Sequence, residues 1–321
     1  MNPLRTVLLL CAAFVIAAPL RAQTFPEKPI TLVVPFATGA SADGIARILA
    51  AELQAALGTA VVVDNRPGGG GATALIMVSK APADGYTIAM GATGAIVINP
   101  HLPDSPPLRP ETQLAPLAKV ADIPLVFVAG AKSGIGSVAE LIERSRAQPD
   151  SISYGSTGVN TAQHLSAEML AALAKIRMTH VPYRGSGPAV TDVIGGQIPV
   201  AVVDLTSAYP HIKAGTLVAL GVTSPARTKT APEIRTIAES GLPGYAATAW
   251  MGMFAPAGTP PAVVARLSQE IHAALGKPEV QARLLALAVE PAYLGPDDFG
   301  RFIAAESKKW GSLVKPIGAA K

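Results

Sequence analysis

The sequence predicts an α/β fold in two lobes, on three observations. Buried strands alternate with amphipathic helices, which is the signature of largely parallel sheets covered by helices. The alternation runs twice, once before and once after a proline-rich stretch at His101–Glu111. Two apolar segments, Leu114–Ala129 and Ala247–Ala255, are placed to carry the chain out of one lobe and back again. The 321 residues are half apolar and only 15% charged, and without the first 22 they leave enough for two ordinary domains or one large one around a sizeable core.

Residues 1–22 have a basic start at Arg5, an apolar run Val7–Ala18 and a small residue, Ala22, before Gln23. That is the layout of a secretory signal, too short to span a bilayer, with cleavage expected after Ala22. The formal charge of +4 includes Arg5 and Arg21. Lys and Arg are otherwise scattered, without the basic stripe that a nucleic-acid partner requires. The only cysteine, Cys11, lies in the signal, and Leu10 before it is unlike a lipoprotein processing site. A soluble exported protein without disulfides is expected.

The elements follow in order. Ile30–Val34 reads as a buried strand, and Ile45–Leu57 as a helix with Gly58 as its stop. Between them lies a loop of small and hydroxyl residues, Ala37–Ala42. Strand Ala60–Val63, the glycine run Gly68–Gly71, helix Ala72–Lys80 and strand Tyr86–Gly91 complete the first unit. Gly91, Ala92, Thr93 and Gly94 form a further small-residue loop. The second unit reads as helix Val138–Ala147, strand Ser151–Tyr154, helix Ala162–Ala174, strand Met178–Val181, a helix near Ala189–Gly195, and strands Val200–Asp204 and Leu217–Val222. The C-terminal part is helical over Pro261–Leu275, Pro278–Ala288 and Pro296–Val314, with Pro at helix starts.

Ligands of such sheets lie beyond the carboxyl ends of the strands. Two loops there carry matching chemistry. Thr38–Asp43 offers two hydroxyls, Gly39 and the N–H groups of a helix start, which suits a carboxylate or phosphate. Ser41 or Asp43 capping the same helix explains that loop equally well. Gly155–Thr161 repeats the pattern, and two such loops facing across a cleft are more telling than either alone. His164, one turn on, reads as a structural hydrogen-bonding group. Asp204, ending an apolar strand, either accepts hydrogen bonds from a ligand or caps the turn before Ser207. Arg184 either pairs with a ligand carboxylate or forms a surface or inter-lobe salt bridge. Gly68–Gly71 lacks the Lys-Ser/Thr of a phosphate-binding loop and reads as a permissive turn. Gly39-Ala-Ser-Ala-Asp43 stops one residue short of a nucleophile elbow, and the five histidines show no metal-ligand spacing. No catalytic residue, metal or cofactor is assigned.

The segments PEKPITLVVPFATGASAD, VVVDNRPGGGGA, PADGYTIAMGATG with INPHL, SYGSTGVNTAQHL, HVPYRGSGPAVTDVIGGQ, SAYPHIKAGTLVALGVTS and ESGLPGYAATAWMGMFAPAGTP occur in the order expected of one family. Over nearly the whole mature chain the sequence resembles the Bug family of periplasmic solute-binding receptors, also called the tripartite tricarboxylate transporter receptor family. The resemblance implies a two-lobed fold of the type II periplasmic binding class. Lobe one is expected at residues 23–123 plus 249–321 and lobe two at 124–248. It also implies a monomer without enzymatic activity, which captures a small carboxylate-bearing solute. Delivery would be to a membrane permease of one small and one large integral subunit. Carried over by residue, the ligand loops are Thr38, Gly39, Ala40, Ser41 and Asp43 on one side, and Ser156, Thr157, Gly158, Asn160 and Thr161 on the other. Gly91, Ala92, Thr93 and Asp204 complete the set. In such receptors the loops hold a carboxylate from both sides, partly through ordered water. The family loop usually reads Ala-Gly-Gly where Thr38-Gly39-Ala40 stands, so the Ala40 methyl narrows the pocket. Gly94-Ala95-Ile96-Val97 is barer than usual. The rival readings are an exported hydrolase using Ser41 or Ser156, which needs a His in reach, and a receptor serving a sensor kinase.

Overall fold

A computed structural model of the chain describes residues 25–103 and 105–318. The signal segment lies outside the described residues. The first sheet contains β1 (Ile30–Val34), β2 (Val61–Asn65), β3 (Thr87–Ala92), β4 (Leu114–Ile123), β10 (Ala249–Pro256) and β11 (Glu290–Leu294), in the order β11-β4-β10-β3-β1-β2. The second contains β5 (Leu125–Gly130), β6 (Ser153–Ser156), β7 (Thr179–Pro182), β8 (Val200–Asp204) and β9 (Leu217–Val222), in the order β7-β6-β8-β5-β9. The chain passes between sheets at Pro124 and returns between β9 and β10.

Both sheets are mixed, and the expected predominance of parallel pairing holds only for the β-α-β portions. β1 lies parallel to β2 and β3, and β6 parallel to β7 and β8. β10 runs antiparallel to β3 and β4, and β5 antiparallel to β8 and β9. The cause is the double crossing: strands flanking each crossing enter the new sheet from the end opposite to its β-α-β strands. Strands buried on both faces explain the unbroken apolar runs, with β5, β8 and β10 buried at every position.

Helices cover the sheets: α1 (Ser41–Leu57), α2 (Ala72–Ser79), α3 (Val138–Ala147), α4 (Ala162–Ala174), α5 (Ser186–Ile194), α6 (Leu205–Lys213), α7 (Pro261–Gly276), α8 (Pro278–Ala286) and α9 (Pro296–Gly318). Helix α1 turns its Ile45, Ile48, Leu49 and Leu53 inward and stops at Gly58, whose left-handed φ of 67° closes the last turn. Among the elements that escaped the sequence reading are one helix and one strand. Helix α6 tolerates Pro210 inside it, and the edge strand β11 is only half-buried throughout. The segment after β3, read as a loop, is a π-helical turn at Gly94–Ile98, buried at all five positions.

The lobes meet in several places. Lys229 N–H donates to Glu290 Oε1 at 2.7 Å, and the Thr206 hydroxyl donates to the Leu287 carbonyl. At the front, Ser41 and Asp204 join directly, and Gly94 lies against the Asn160–Thr161 backbone.

Candidate ligand cleft between the lobes

Two chambers open between the lobes and share Phe36, Ala37, Thr157 and Arg184. The inner chamber, about 350 Å³, is bounded by Thr38–Ala42, Gln163, Gly185–Pro188, Asp204, Ser207 and Met251. The outer, about 790 Å³, is bounded by Gly68–Gly71, Asn99, Gly158–Asn160 and Tyr183. Volumes of this order suit small-molecule sites.

The first-lobe loop reaches the inner chamber because β1 ends there and α1 begins at Ser41. Ala40 is the N-cap, and as an alanine it supplies no side-chain cap. Asp43, at the third helical position, compensates. Its Oδ2 accepts the Gly39 N–H at 2.9 Å, and its carboxylate takes both an Arg47 pair at 3.0 Å and the Asn65 amide at 3.0 Å. Burial works against its charge, but the Arg47, Gly39 and Asn65 hydrogen bonds prevail and hold its pKa below the usual value. Asp43 is therefore a tie within lobe one and lines neither chamber. Thr38 lines the inner chamber and hydrogen-bonds Asn65 at 3.4 Å.

The second-lobe loop divides. Thr157 faces both chambers, while Gly158 and Asn160 face only the outer one. Ser156 is fully buried and lines neither. Its Oγ lies 2.7 Å from His180 Nε2 and accepts the Gly158 N–H at 3.2 Å. A His thus stands in reach of a serine, as the hydrolase reading required, but that hydroxyl is sealed from the cleft. Thr161 caps α4, accepting the His164 N–H and donating to the Gly158 carbonyl. His164 Nδ1 accepts the Asn160 N–H at 3.1 Å, which fixes Asn160 at a φ of 61°, and its ring stacks 4.0 Å from His180.

The third loop is not brought to the chambers. Gly91 packs its missing side chain against the Phe254 ring. Ala92 and Thr93 border only a void of about 20 Å³ beneath the cleft. The Thr93 hydroxyl is already engaged, accepting the Trp250 N–H at 2.8 Å and donating to the Trp250 carbonyl at 3.2 Å.

Asp204 is the central acidic group. It holds the N-cap position of α6, yet its side chain caps nothing there. Instead Oδ2 accepts the Ser41 hydroxyl from the other lobe at 2.5 Å, and Oδ1 accepts the Gln163 amide at 2.5 Å. Its own N–H donates to Ser186 Oγ at 3.1 Å. Burial raises its pKa, opposed by the Ser41, Gln163 and Ser186 hydrogen bonds. A carboxyl whose folded pKa is raised stabilises the fold below its unfolded pKa and loses that contribution as pH rises through the folded value. Asp204→Asn keeps the Gln163 bond and lets Ser41 accept from the new amide. Its thermal midpoint is expected above that of the unaltered protein at pH 7, with the gap closing toward pH 4. A lower midpoint at pH 7 would contradict this account.

Three contributors were missed in the sequence. Gln163 stood beside the more conspicuous His164. Gly185–Gly187 begins α5 and so turns a second helix N-terminus on the inner chamber. Gly68–Gly71, read as a turn, forms a wall of the outer chamber. Arg184, read as either a ligand partner or a salt-bridge former, makes no salt bridge among the described residues and stands exposed at the lip of both chambers. The described residues hold no cluster of three or more His, Cys, Asp or Glu side chains able to bind a metal. No described helix is long and apolar enough to cross a membrane.

Two mixed α/β sheets joined by two crossings, with a polar cleft between them, define a periplasmic binding protein fold. Solved structures agree. A periplasmic binding protein, BugD, is 33% identical over 92% of this chain and 99% of its own, with a TM-score of 0.85. A protein of R. palustris, solved with adipate, is 34% identical over 91% of this chain and 97% of its own, also at 0.85. A "UPF0065 protein in tcbD-tcbE intergenic region" of Pseudomonas sp. (strain P51) is 39% identical, covering 92% of this chain and 88% of that protein. The family model described as "Tripartite tricarboxylate transporter family receptor" matches residues 45–319. The chain belongs to that family, whose members are solute-binding receptors.

Proposed function

We infer that this protein is a periplasmic receptor that closes its lobes on a small carboxylate-bearing solute. The observation that carries the reading is the inner chamber, where the starts of α1 and α5 face each other across the lobes beside Ser41 and Thr157. Each start brings unpaired N–H groups and the positive end of a helix dipole. The structural relative solved with adipate, a dicarboxylate, supports the ligand class. Lobe one comprises residues 23–123 and 249–321, and lobe two 124–248, in keeping with the two sheets. The site carries no catalysis of its own: Ser41 faces a carboxylate rather than a histidine, and Ser156 is buried. Export by residues 1–22, a monomeric state and delivery to a permease of one small and one large subunit complete the proposal.

Titration calorimetry with a panel of small carboxylates tests it. One site per chain is expected, with the acid recovered unchanged, and conversion of the acid abolished by Ser41→Ala would favour a hydrolase. Micromolar affinity corresponds to about 8.2 kcal/mol. Hydrogen bonds to a charged group supply roughly 1.5–3 kcal/mol each, so four or five N–H and hydroxyl donors reach it without an arginine. Gly158 has a φ of 131°, where a β-branched residue is strained. Gly158→Val should therefore weaken binding more than Arg184→Ala; the reverse order would place the anion on the arginine.

A further inference from the structure

We propose that the turn at residues 287–290 is a strap that fixes the spacing between the starts of α1 and α6, the two helix ends that carry Ser41 and Asp204 to the inner chamber. Its effect on binding rests on the carboxylate-receptor reading, while its mechanical role does not.

The turn joins α8 to β11, so its body belongs to lobe one, yet its contacts run to both lobes. The Leu287 side chain lies over the first turn of α1: a Cβ added at Gly44 would stand 2.8 Å from Leu287 Cδ1. That accounts for a glycine inside a helix, where it costs stability relative to alanine. The carbonyl of the same residue accepts the Thr206 hydroxyl from the first turn of α6. Ala288 then packs into the apolar cluster of the second sheet, whose other described members all lie between residues 126 and 234. Two residues on, Glu290 Oε1 accepts the Lys229 N–H of lobe two at 2.7 Å.

The backbone supports the same reading. Ala288 holds a φ of 51°, a left-handed conformation that is unfavourable for alanine and persists where the surroundings impose it. Those surroundings belong to lobe two, in which Ala288 is buried. The start of α6 is also tied to the crossing between the sheets, since the Leu205 N–H donates to the Pro124 carbonyl at 2.9 Å. With Leu205 held there, a strap at Thr206 on one side governs where Asp204 stands on the other. On α1, Ser41 and Gly44 are three residues apart and share a face. Leu287 therefore reaches both partners of the Ser41–Asp204 hydrogen bond at one remove, through Gly44 and through Thr206. Leu287 and Thr206 are positioning residues.

Hydrogen-exchange mass spectrometry of the ligand-free mature chain and calorimetry with adipate test the strap. Thr206→Val removes the hydroxyl and keeps the branched side chain. Amides at the starts of both α1 and α6 should then exchange several-fold faster, although α1 lies in the other lobe. Adipate should bind roughly three- to tenfold more weakly. Thr206→Ser restores the hydroxyl and should return both readings to within about twofold of the unaltered protein. Glu290→Leu removes the other polar tie and should act in the same direction, and it decides the matter if Thr206→Val does not fold. Faster exchange confined to α6 and the turn overturns the strap, because Thr206 would then make a local structural bond. So does a loss that Thr206→Ser leaves in place, or an adipate affinity that stays the same while exchange at α1 quickens. If exchange responds as expected but neither adipate nor any other acid binds, the receptor reading fails and the strap stands.

Discussion

Gly94→Val is expected to weaken carboxylate binding by roughly ten- to a hundredfold while leaving the ligand-free fold intact. A Cβ at Gly94 would sit 2.8 Å from the Asn160 carbonyl oxygen and 3.2 Å from Thr161 Cα. Both are backbone atoms of the opposite lobe, so no flexible side chain can give way. Gly94 does not need a positive φ, so its own backbone tolerates a side chain, and the nearest atoms a Cβ would meet all belong to the opposite lobe. The only way to relieve the clash is for the lobes to stand apart. Overpacking of this kind costs about 1–3 kcal/mol, and each 1.4 kcal/mol is a tenfold change in affinity. Calorimetry with the best-binding acid would measure the loss, and small-angle scattering should report a larger radius for the variant. Unaltered affinity would mean that the ligand is held without the lobes meeting at Gly94.

The second large effect is on stability. Trp250 lies in β10, the strand that returns the chain to the first lobe, and is 1% exposed. Its ring meets Phe299 at 5.4 Å and Phe302 at 5.5 Å, both edge-on and both from α9. Those contacts clamp α9 to the centre of the sheet, with β4 on one side of β10 and β3 on the other. Trp250→Ala should cost about 3–5 kcal/mol, because the cavity lies between a central strand and a helix that cannot both collapse into it. That is a large share of the 5–15 kcal/mol by which folded domains are typically stable. Urea unfolding followed by circular dichroism would measure it, and a loss below about 1 kcal/mol would show that α9 repacks freely.

Much of the fold was legible because burial writes itself into periodicity. Val138–Ala147 and Ala162–Ala174 emerge as helices at the expected ends, capped by Ser137 and Thr161. β8 and β9 likewise coincide with their apolar runs. What escaped was masked by local chemistry. Pro210 reads as a breaker, yet it stands inside α6. Pro291 and a half-buried surface hide β11, which lies at the sheet edge where a proline is tolerated.

The site was legible in outline only. Small-residue loops at strand ends point to a cleft, and Asp204 stands out as an acid closing an apolar strand. Which hydroxyls are free is a matter of tertiary pairing that no spacing records. Thr93 is consumed by the Trp250 backbone, and Asp43 by Asn65 and Arg47. Only Arg47, four residues on from Asp43, could have been anticipated from helical spacing.

The hydrogen bond from Ser41 to Asp204 has a consequence for the balance between open and shut receptor. It is buried, and it bridges the lobes using only the protein's own groups. The shut form therefore has a reason to exist before any solute enters. Apparent affinity scales with the fraction of molecules already competent to bind. A receptor shut one time in ten holds its solute a hundred times more tightly than one shut one time in a thousand, on the same contacts. Ser41 thus acts on affinity through the population of the shut form. It also means that shape alone does not announce the cargo: if the proposed permease docks the shut form, it meets empty and loaded receptors alike, and needs some further feature of the loaded cleft to tell them apart.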